Sequence, residues 1–158
     1  MNSFSKPDDN NHYLAEHIDL LIGSFFYLTG MKLIDDSDEP ATIARKIYYA
    51  PFALVSHNTM EDPVFNYANE TALKLFEMSW DEFTALPSRK SAEPLNRQDR
   101  ARLLMSVTEK GYIDDYSGVR ISSDGKRFRI NNAIVWNVID RYGNYRGQAA
   151  KFDDWEFL

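Results

Sequence analysis

Val64-Phe65-Asn66-Tyr67-Ala68 runs without a break into Asn69-Glu70-Thr71-Ala72-Leu73-Lys74-Leu75-Phe76, and on through Glu77-Met78-Ser79-Trp80-Asp81-Glu82-Phe83. The first five residues alternate as a strand does, with Phe65 and Tyr67 on one face. Asn69 stands where the strand must end, and its short amide side chain suits the free N–H groups of a starting helix. Ser79 and Glu82 form a Ser-x-x-Glu capping box, and Met78 and Phe83 hold the flanking hydrophobic-staple positions. Three independent rules therefore place one helix start at Ser79. A strand, a capped helix and a second capped helix within so short a span predict an α+β domain.

Outward from that stretch the chain keeps the same character. Ala53 to Ser56 reads as a short buried strand, and Asn58 to Pro63 as a polar turn closed by proline. Upstream, Leu14, Ile18, Leu21, Phe25 and Leu28 recur at four- and three-residue steps, the spacing of a helical stripe, with Asn10 or Asn11 as cap and Gly30 as stop. A second helix begins near Pro40, shows Ala44, Ile47 and Tyr48 on one face, and ends at Pro51. Downstream, Asn96 is placed to cap a helix reaching Lys110, with Ala101, Leu104 and Val107 or Thr108 facing inward and Gly111 beyond its end. Three antiparallel strands follow, Tyr112 to Ile121, Lys126 to Val138 and Tyr145 to Phe152, the first two joined by the tight turn Ser123-Asp124-Gly125. The expected organisation is a flexible N-terminus over 1–11, a helical extension over 12–49 and a core over 50–158.

The chain's 158 residues suit one domain, and 44% hydrophobic content supplies a core. A net charge of −6 argues against nucleic acid or an anionic membrane as partner. Local basic clusters (Arg97, Arg100 and Arg102; Lys126, Arg127 and Arg129) read as a solvated helix face and a hairpin. The chain has no cysteine, which excludes disulfides, thiolate metal sites, thiol nucleophiles and cysteinyl flavin adducts. Met1 to Asn11 lacks the basic and apolar regions of a signal peptide, and the run Leu20 to Leu28 is too short to span a bilayer. A cytoplasmic protein is expected.

The order of two strands, short helices, a longer connecting helix and a three-strand meander is that of PAS domains. The finer wording resembles the MEKHLA domain family, which is PAS-like. The shared phrases include Ala50-Pro51-Phe52, Val55-Ser56-His57, Phe65-Asn66-Tyr67, Ala72-Leu73-Lys74-Leu75-Phe76-Glu77-Met78-Ser79-Trp80 and Leu86-Pro87-Ser88-Arg89. Later ones are Asp114-Asp115-Tyr116, Gly118-Val119-Arg120-Ile121-Ser122, Ala133-Ile134-Val135-Trp136-Asn137 and Gly147-Gln148-Ala149-Ala150. The resemblance covers residues 12–158. It implies a PAS-like antiparallel five-stranded sheet covered by short helices, with an N-terminal helical extension. In plants such domains end class III homeodomain–leucine-zipper transcription factors. This chain has neither basic recognition helix nor zipper, so it is expected to be of the standalone bacterial or algal type.

No catalytic constellation stands out. His12 and His17 lie on the N-terminal helix, whereas His57 follows a core strand and is the one histidine placed to line a cavity. Asp114-Asp115 and Asp153-Asp154 alternate across a strand and make no two-carboxylate site; Asp114 or Asp115 is expected to pair with Arg120 or Arg129. Haem is not expected, because the connecting helix carries no histidine. A flavin held without an adduct, stacked on Trp80, Trp136 and Tyr67, or another metabolite, stays open as cofactor. Alternation along Phe128 to Val138 puts Phe128, Ile130, Asn132, Ile134 and Trp136 on one face and Arg129, Asn131, Ala133, Val135 and Asn137 on the other. Neither face is cleanly apolar, as in a sheet covered on both sides or a wall dotted with polar groups. The candidate ligand residues are Asn66, Tyr67, His57, Tyr116, Arg120, Asn131, Trp136, Asn137 and Gln148. Leu14, Ile18, Leu21, Phe25 and Leu28 either fold back on the sheet or form a homodimer interface, the second being the expectation.

The leading functional reading is a non-enzymatic sensory or regulatory module that binds a small molecule or protein partner and self-associates. One alternative is a small enzyme using His57 and a nearby carboxylate as acid and base. Another is a pocketless protein-interaction domain.

Overall fold

The computed structural model describes residues 4–35, 37–95 and 97–158, with Arg97 and Arg100 described in their backbone only. Among the described residues the helices are α1 (Ala15–Thr29), α2 (Pro40–Tyr48), α3 (Glu70–Phe76), α4 (Trp80–Phe83) and α5 (Arg97–Glu109). The strands are β1 (Ala53–His57), β2 (Phe65–Ala68), β3 (Tyr112–Ile121), β4 (Arg127–Ile139), β5 (Tyr145–Phe152) and β6 (Asp154–Phe157). They pair antiparallel in the order β2-β1-β5-β4-β3, and β6 continues beside β4 where β5 stops. The sixth strand is an addition to the five expected. It forms because Trp155 and Phe157 fall opposite Ile130 and Phe128 and extend the apolar face.

The two capped helices start as read from the sequence. The Asn69 carboxamide oxygen accepts from the Ala72 N–H at 3.2 Å, and Ser79 and Glu82 exchange both bonds of the capping box. Asn69 does more than cap. Its oxygen also accepts from the Leu54 N–H (3.0 Å), and its Nδ2 donates to the carbonyls of Ile47 (3.0 Å) and Phe52 (2.8 Å). One fully buried amide thus joins the end of α2, the start of β1 and the start of α3. The expected cap at Asn96 lies outside the described residues.

The helical stripe of α1 folds back on its own sheet. Ile18, Leu21 and Phe25 are buried, and Phe25 meets the Trp136 ring edge-on at 4.7 Å. Leu14 and Leu28 are half-buried against the same core. This corrects the expected dimer interface: these five side chains are used within the chain, because the outer face of the sheet is apolar and otherwise uncovered.

The start of that helix also differs from expectation. Asp8, not Asn10 or Asn11, is the cap, with Asn11 as its reciprocal partner, and a 3-10 turn spans Asp9–Leu14. His12, Tyr13 and Leu14 are left-handed (φ 54°, 55° and 57°), at a cost of about 1–2 kcal/mol each. Burial of Tyr13 against Tyr48 and Tyr49, under Arg45, offsets that strain. Before the turn, Phe4 packs on the His17 ring at 5.1 Å and its carbonyl accepts from Trp80 Nε1 at 2.9 Å. The segment expected to be flexible is therefore docked from Phe4 onward.

On α5, Leu103 and Val107 turn inward while Ala101, Leu104, Met105 and Thr108 face solvent. The described side chains of the basic clusters are paired rather than free. Arg102 meets Asp115, Lys126 meets Glu77 and Asp124, Arg127 meets Glu93, and Arg129 meets Glu156. These pairings replace the ones expected of Asp114 and Asp115.

Replacing Asn69 tests the buried amide. Asn69→Ala strands two carbonyls and two N–H groups in the core, so urea unfolding should show a loss of about 4 kcal/mol. Asn69→Asp should cost at least as much, since a carboxylate would face the Ile47 and Phe52 carbonyls with no proton to offer. A loss below about 1 kcal/mol in both would show that the hub is dispensable.

Candidate functional site

The decisive detail of the sheet is a bulge in β4. Gly118 pairs with Ile130, but Tyr116 pairs with Ala133, so β4 carries an extra residue there. Asn132 takes up the excess with φ 51°, a conformation that asparagine tolerates better than most residues. The bulge switches the alternation, and Phe128, Ile130, Ala133, Val135 and Asn137 come to share the inner face. Phe128 meets Phe76 of α3 at 5.3 Å, while Ile130, Ala133 and Val135 line a cavity. The mixed faces expected from uninterrupted alternation resolve into an apolar inner wall and an outer face under α1.

That cavity has a volume of about 290 Å³ and lies between the inner sheet face, α3, α5 and the loop before α5. Its wall is mainly apolar, with Val55, Phe65, Phe76, Leu103, Val135 and Ala150 prominent. Polar groups reach it from two sides. On β1 and β5, His57 and Gln148 lie opposite each other, and Gln148 Nε2 donates to Asn137 Oδ1 at 3.1 Å. Asn137 in turn donates to the Val107 carbonyl of α5 at 2.9 Å. His57 Nδ1 faces the Asn58 carbonyl at 2.8 Å, so the proton sits on Nδ1. Burial lowers the His57 pKa, opposed by the Asn58 carbonyl and the Gln148 side chain and assisted by Arg120. The imidazole is neutral at pH 7.

On β3, Tyr116, Gly118 and Arg120 share the inner face, opposite Ala133, Ile130 and Phe128. The Tyr116 ring lies along the strand over Gly118, and its hydroxyl would stand 2.5 Å from any Cβ there. Only glycine leaves room for it. Arg120 donates through Nη1 to the buried Ser91 hydroxyl at 2.8 Å.

Four of the nine candidate ligand residues therefore line the cavity: His57, Tyr116, Arg120 and Gln148. Asn137 joins them at second hand through Gln148. The other four lie elsewhere. Asn66 accepts from the Ser56 hydroxyl, Asn131 accepts from Ser117, Trp136 donates to Ser24 beneath α1, and Tyr67 is buried against His17 and Trp80. The aromatic stack expected for a flavin is thus not formed around the cavity, whose rings are Phe65, Phe76, Tyr116 and Phe152. Phe76, Leu103, Val135 and Ala150 were not foreseen from the sequence, because they carry no chemistry; the facing of Val135 depends besides on the bulge at Asn132. The acid/base pair required by the enzyme alternative is not assembled among the described residues. Glu93 is the one carboxylate lining the cavity, and Arg127 holds it with two contacts of 2.6 and 3.1 Å.

The outer face carries a separate polar cluster. His17 Nε2 lies 2.9 Å from the Ser56 hydroxyl, whose one proton goes to Asn66 Oδ1, so His17 must donate. Burial drives the His17 pKa down to about 4. Tyr67 is pushed up by burial as well, and its hydroxyl finds no partner among the described residues.

The profile of the MEKHLA domain matches residues 15–157. The chain belongs to the MEKHLA domain family. Similar curated proteins include the rice (Oryza sativa subsp. indica) homeobox-leucine zipper protein HOX10, 24% identical over 136 residues. Arabidopsis thaliana homeobox-leucine zipper protein ATHB-15 is 21% identical over 130 residues. The alignments cover 85% and 82% of this chain but only 16% of each plant protein. Among solved structures, a PAS domain from Colwellia psychrerythraea superposes with a TM-score of 0.59 at 13% identity, covering 74% of this chain and 94% of that one. The light-state dimer of the fungal blue-light photoreceptor Vivid gives 0.57 at 14% identity, covering 85% and 90%. The MEKHLA domain thus has the fold of PAS and light-oxygen-voltage domains. No helix among the described residues is long and apolar enough to cross a membrane.

The buried His17 predicts a pH dependence. Its folded pKa of about 4 lies below the ordinary 6.5, so the unfolded chain binds the extra proton first. The stability tied to neutral His17 is complete above pH 6.5 and is lost as pH falls from there towards 4, by roughly 3 kcal/mol in all. His57 acts in the same direction. Urea unfolding of His17→Gln, which keeps a donor for Ser56 but cannot titrate, should show a clearly shallower decline between pH 6.5 and 5. An equal slope in variant and wild type would contradict the assignment.

Proposed function

We propose that this MEKHLA domain is a non-enzymatic sensory or regulatory module whose inner cavity holds a small molecule. The observation that carries this reading is the cavity itself. It is about 290 Å³ in volume, apolar over most of its wall, and met by polar groups on two opposing sides. Cavities kept only by imperfect packing are small and apolar, because each unfilled volume costs stability and each uncompensated polar group costs more. A wall carrying His57, Gln148, Tyr116 and Arg120 is what a ligand site requires. The size lies at the lower end for small-molecule sites, which favours a compact metabolite. Native mass spectrometry of protein isolated from its own host should reveal a bound small molecule, and Ala150→Phe, which fills the cavity, should abolish it. Protein without adduct, or an adduct indifferent to Ala150→Phe, would remove the ligand reading in favour of a pocketless interaction domain.

We also propose self-association through the outward side of α1. Phe26 and Tyr27 are 52% and 80% exposed there, and Met31 just beyond is 44% exposed. Clustered exposed aromatics of this kind mark contact surfaces. The neighbouring fungal photoreceptor is described as a dimer. Light scattering at high protein concentration should give twice the monomer mass, and Phe26→Asp with Tyr27→Asp should halve it without loss of stability. Strictly monomeric wild-type protein would overturn this.

A further inference from the structure

Charges around the cavity are unevenly matched. Arg89 and Glu93 both line it, yet Arg89 is held by both oxygens of Asp62 and Glu93 is held by Arg127. Arg120 is different. Its side-chain contact is with a neutral group, the Ser91 hydroxyl, and among the described residues no carboxylate pairs with it. A half-buried guanidinium with four N–H donors left over is costly unless an anion meets it. Ser91 is fully buried and itself donates to the Ser88 carbonyl, so it anchors the Arg120 fork in place.

The neighbouring donor is Tyr116. Its hydroxyl has no protein partner among the described residues and lies over Gly118, the next inward position before Arg120 on the same strand face. A fixed guanidinium fork and a free phenol, side by side over a glycine gap, match one carboxylate group. A doubly charged phosphate fits less well, since the Glu93 carboxylate lies in the same wall and, among the described residues, no second unpaired cation lines the cavity. Between these two donors and the polar pair His57 and Gln148 the wall is mainly apolar, and the cavity has room for roughly ten water-sized groups.

Resting on the ligand-cavity reading above, we propose that the cavity is specific for a compact apolar monocarboxylate, its carboxylate held by Arg120 and the Tyr116 hydroxyl. Its body lies against Phe65, Phe76, Leu103 and Val135. His57 and Gln148 at the far side meet any second, neutral polar group of the ligand.

Phenylbutyrate and the uncharged phenylbutanol form the test pair, measured by calorimetry on the full chain at pH 7. The acid should bind at least about tenfold tighter than the alcohol, the margin of one charge-assisted contact. Arg120→Gln should erase that margin while leaving the alcohol's affinity unchanged, which also shows that the variant is folded. Tyr116→Phe should weaken the acid several-fold and spare the alcohol. Acid binding that survives Arg120→Gln, or equal affinities in the wild type, overturns the carboxylate assignment. If the alcohol still binds in that case and Ala150→Phe abolishes it, the ligand cavity stands. Failure of both compounds to bind overturns this proposal, and the native mass measurement then decides separately whether the cavity holds a ligand of other chemistry.

Discussion

The carboxamide of Asn69 is the constraint on which the rest of the molecule is hung. It is fully buried and its oxygen and nitrogen both have two backbone partners, drawn from α2, the approach to β1 and α3. A buried amide with all its capacity used stabilises one arrangement and penalises every other, since any slippage strands polar groups in the core. Here the arrangement so selected sets α3 against the first two strands. Phe76 then lies between Phe83 and Phe128, and Val55 and Phe65 are turned to the cavity. The shape of the cavity wall is therefore a consequence of a polar contact several residues away from it.

A second constraint acts on the other half of the sheet. Asn132 lets β4 bulge, and Asp153 marks the same level on the neighbouring side, between β5 and β6. Beyond this point the inward set changes parity, so that one long strand feeds the region beside α3 with Phe128 and Ile130 and the region beside α5 with Ala133, Val135 and Asn137. Without the bulge Ala133 and Val135 would face α1 and Trp136 would fill the cavity. The cavity exists because the strand does not alternate regularly.

These two asparagines also mark the limit of what the amino-acid order reveals. Asn69 was legible because capping is local: its consequence falls three residues away, as do those of Ser79 and Glu82. The helical stripe of α1 was equally plain, but not its destination. A stripe states that one side is buried and is silent on whether the cover is the chain's own sheet or another copy. Asn132 was legible only as an oddity, a polar residue in mid-strand, and the parity change it causes moved Asn131 and Asn137 to opposite faces. His57, Tyr116, Arg120 and Gln148 were recoverable because a polar side chain on a strand that must be half-buried is conspicuous. The apolar wall between them was not, since Phe76 or Val135 looks the same in a packed core and in a cavity.

The two faces of the sheet now differ in how their polar groups are resolved. On the outer face, His17, Ser56 and Asn66 form a chain of hydrogen bonds, with His17 held neutral by burial and sealed beneath Phe4. Beneath α1, Trp136 donates to the Ser24 hydroxyl, which itself donates to the Leu20 carbonyl. Such groups are spent on holding the helix to the sheet. On the inner face the Tyr116 hydroxyl is unpaired among the described residues, Arg120 is met only by a neutral hydroxyl, and His57 retains a ring nitrogen beyond its bond to Asn58. Unsatisfied polarity is unfavourable in a folded protein; on the outer face the Tyr67 hydroxyl lacks a partner among the described residues, and on the inner face the Tyr116 hydroxyl and most of the Arg120 fork do. The two inner-face groups differ from Tyr67 in bordering a cavity, so on the proposed ligand reading a bound molecule supplies the partners that they lack. The gain in stability on binding would then be concentrated in β3 and the row His57–Gln148–Asn137. Because Asn137 bonds to the Val107 carbonyl, that gain reaches the end of α5, a helix whose Leu104 and Met105 already face solvent.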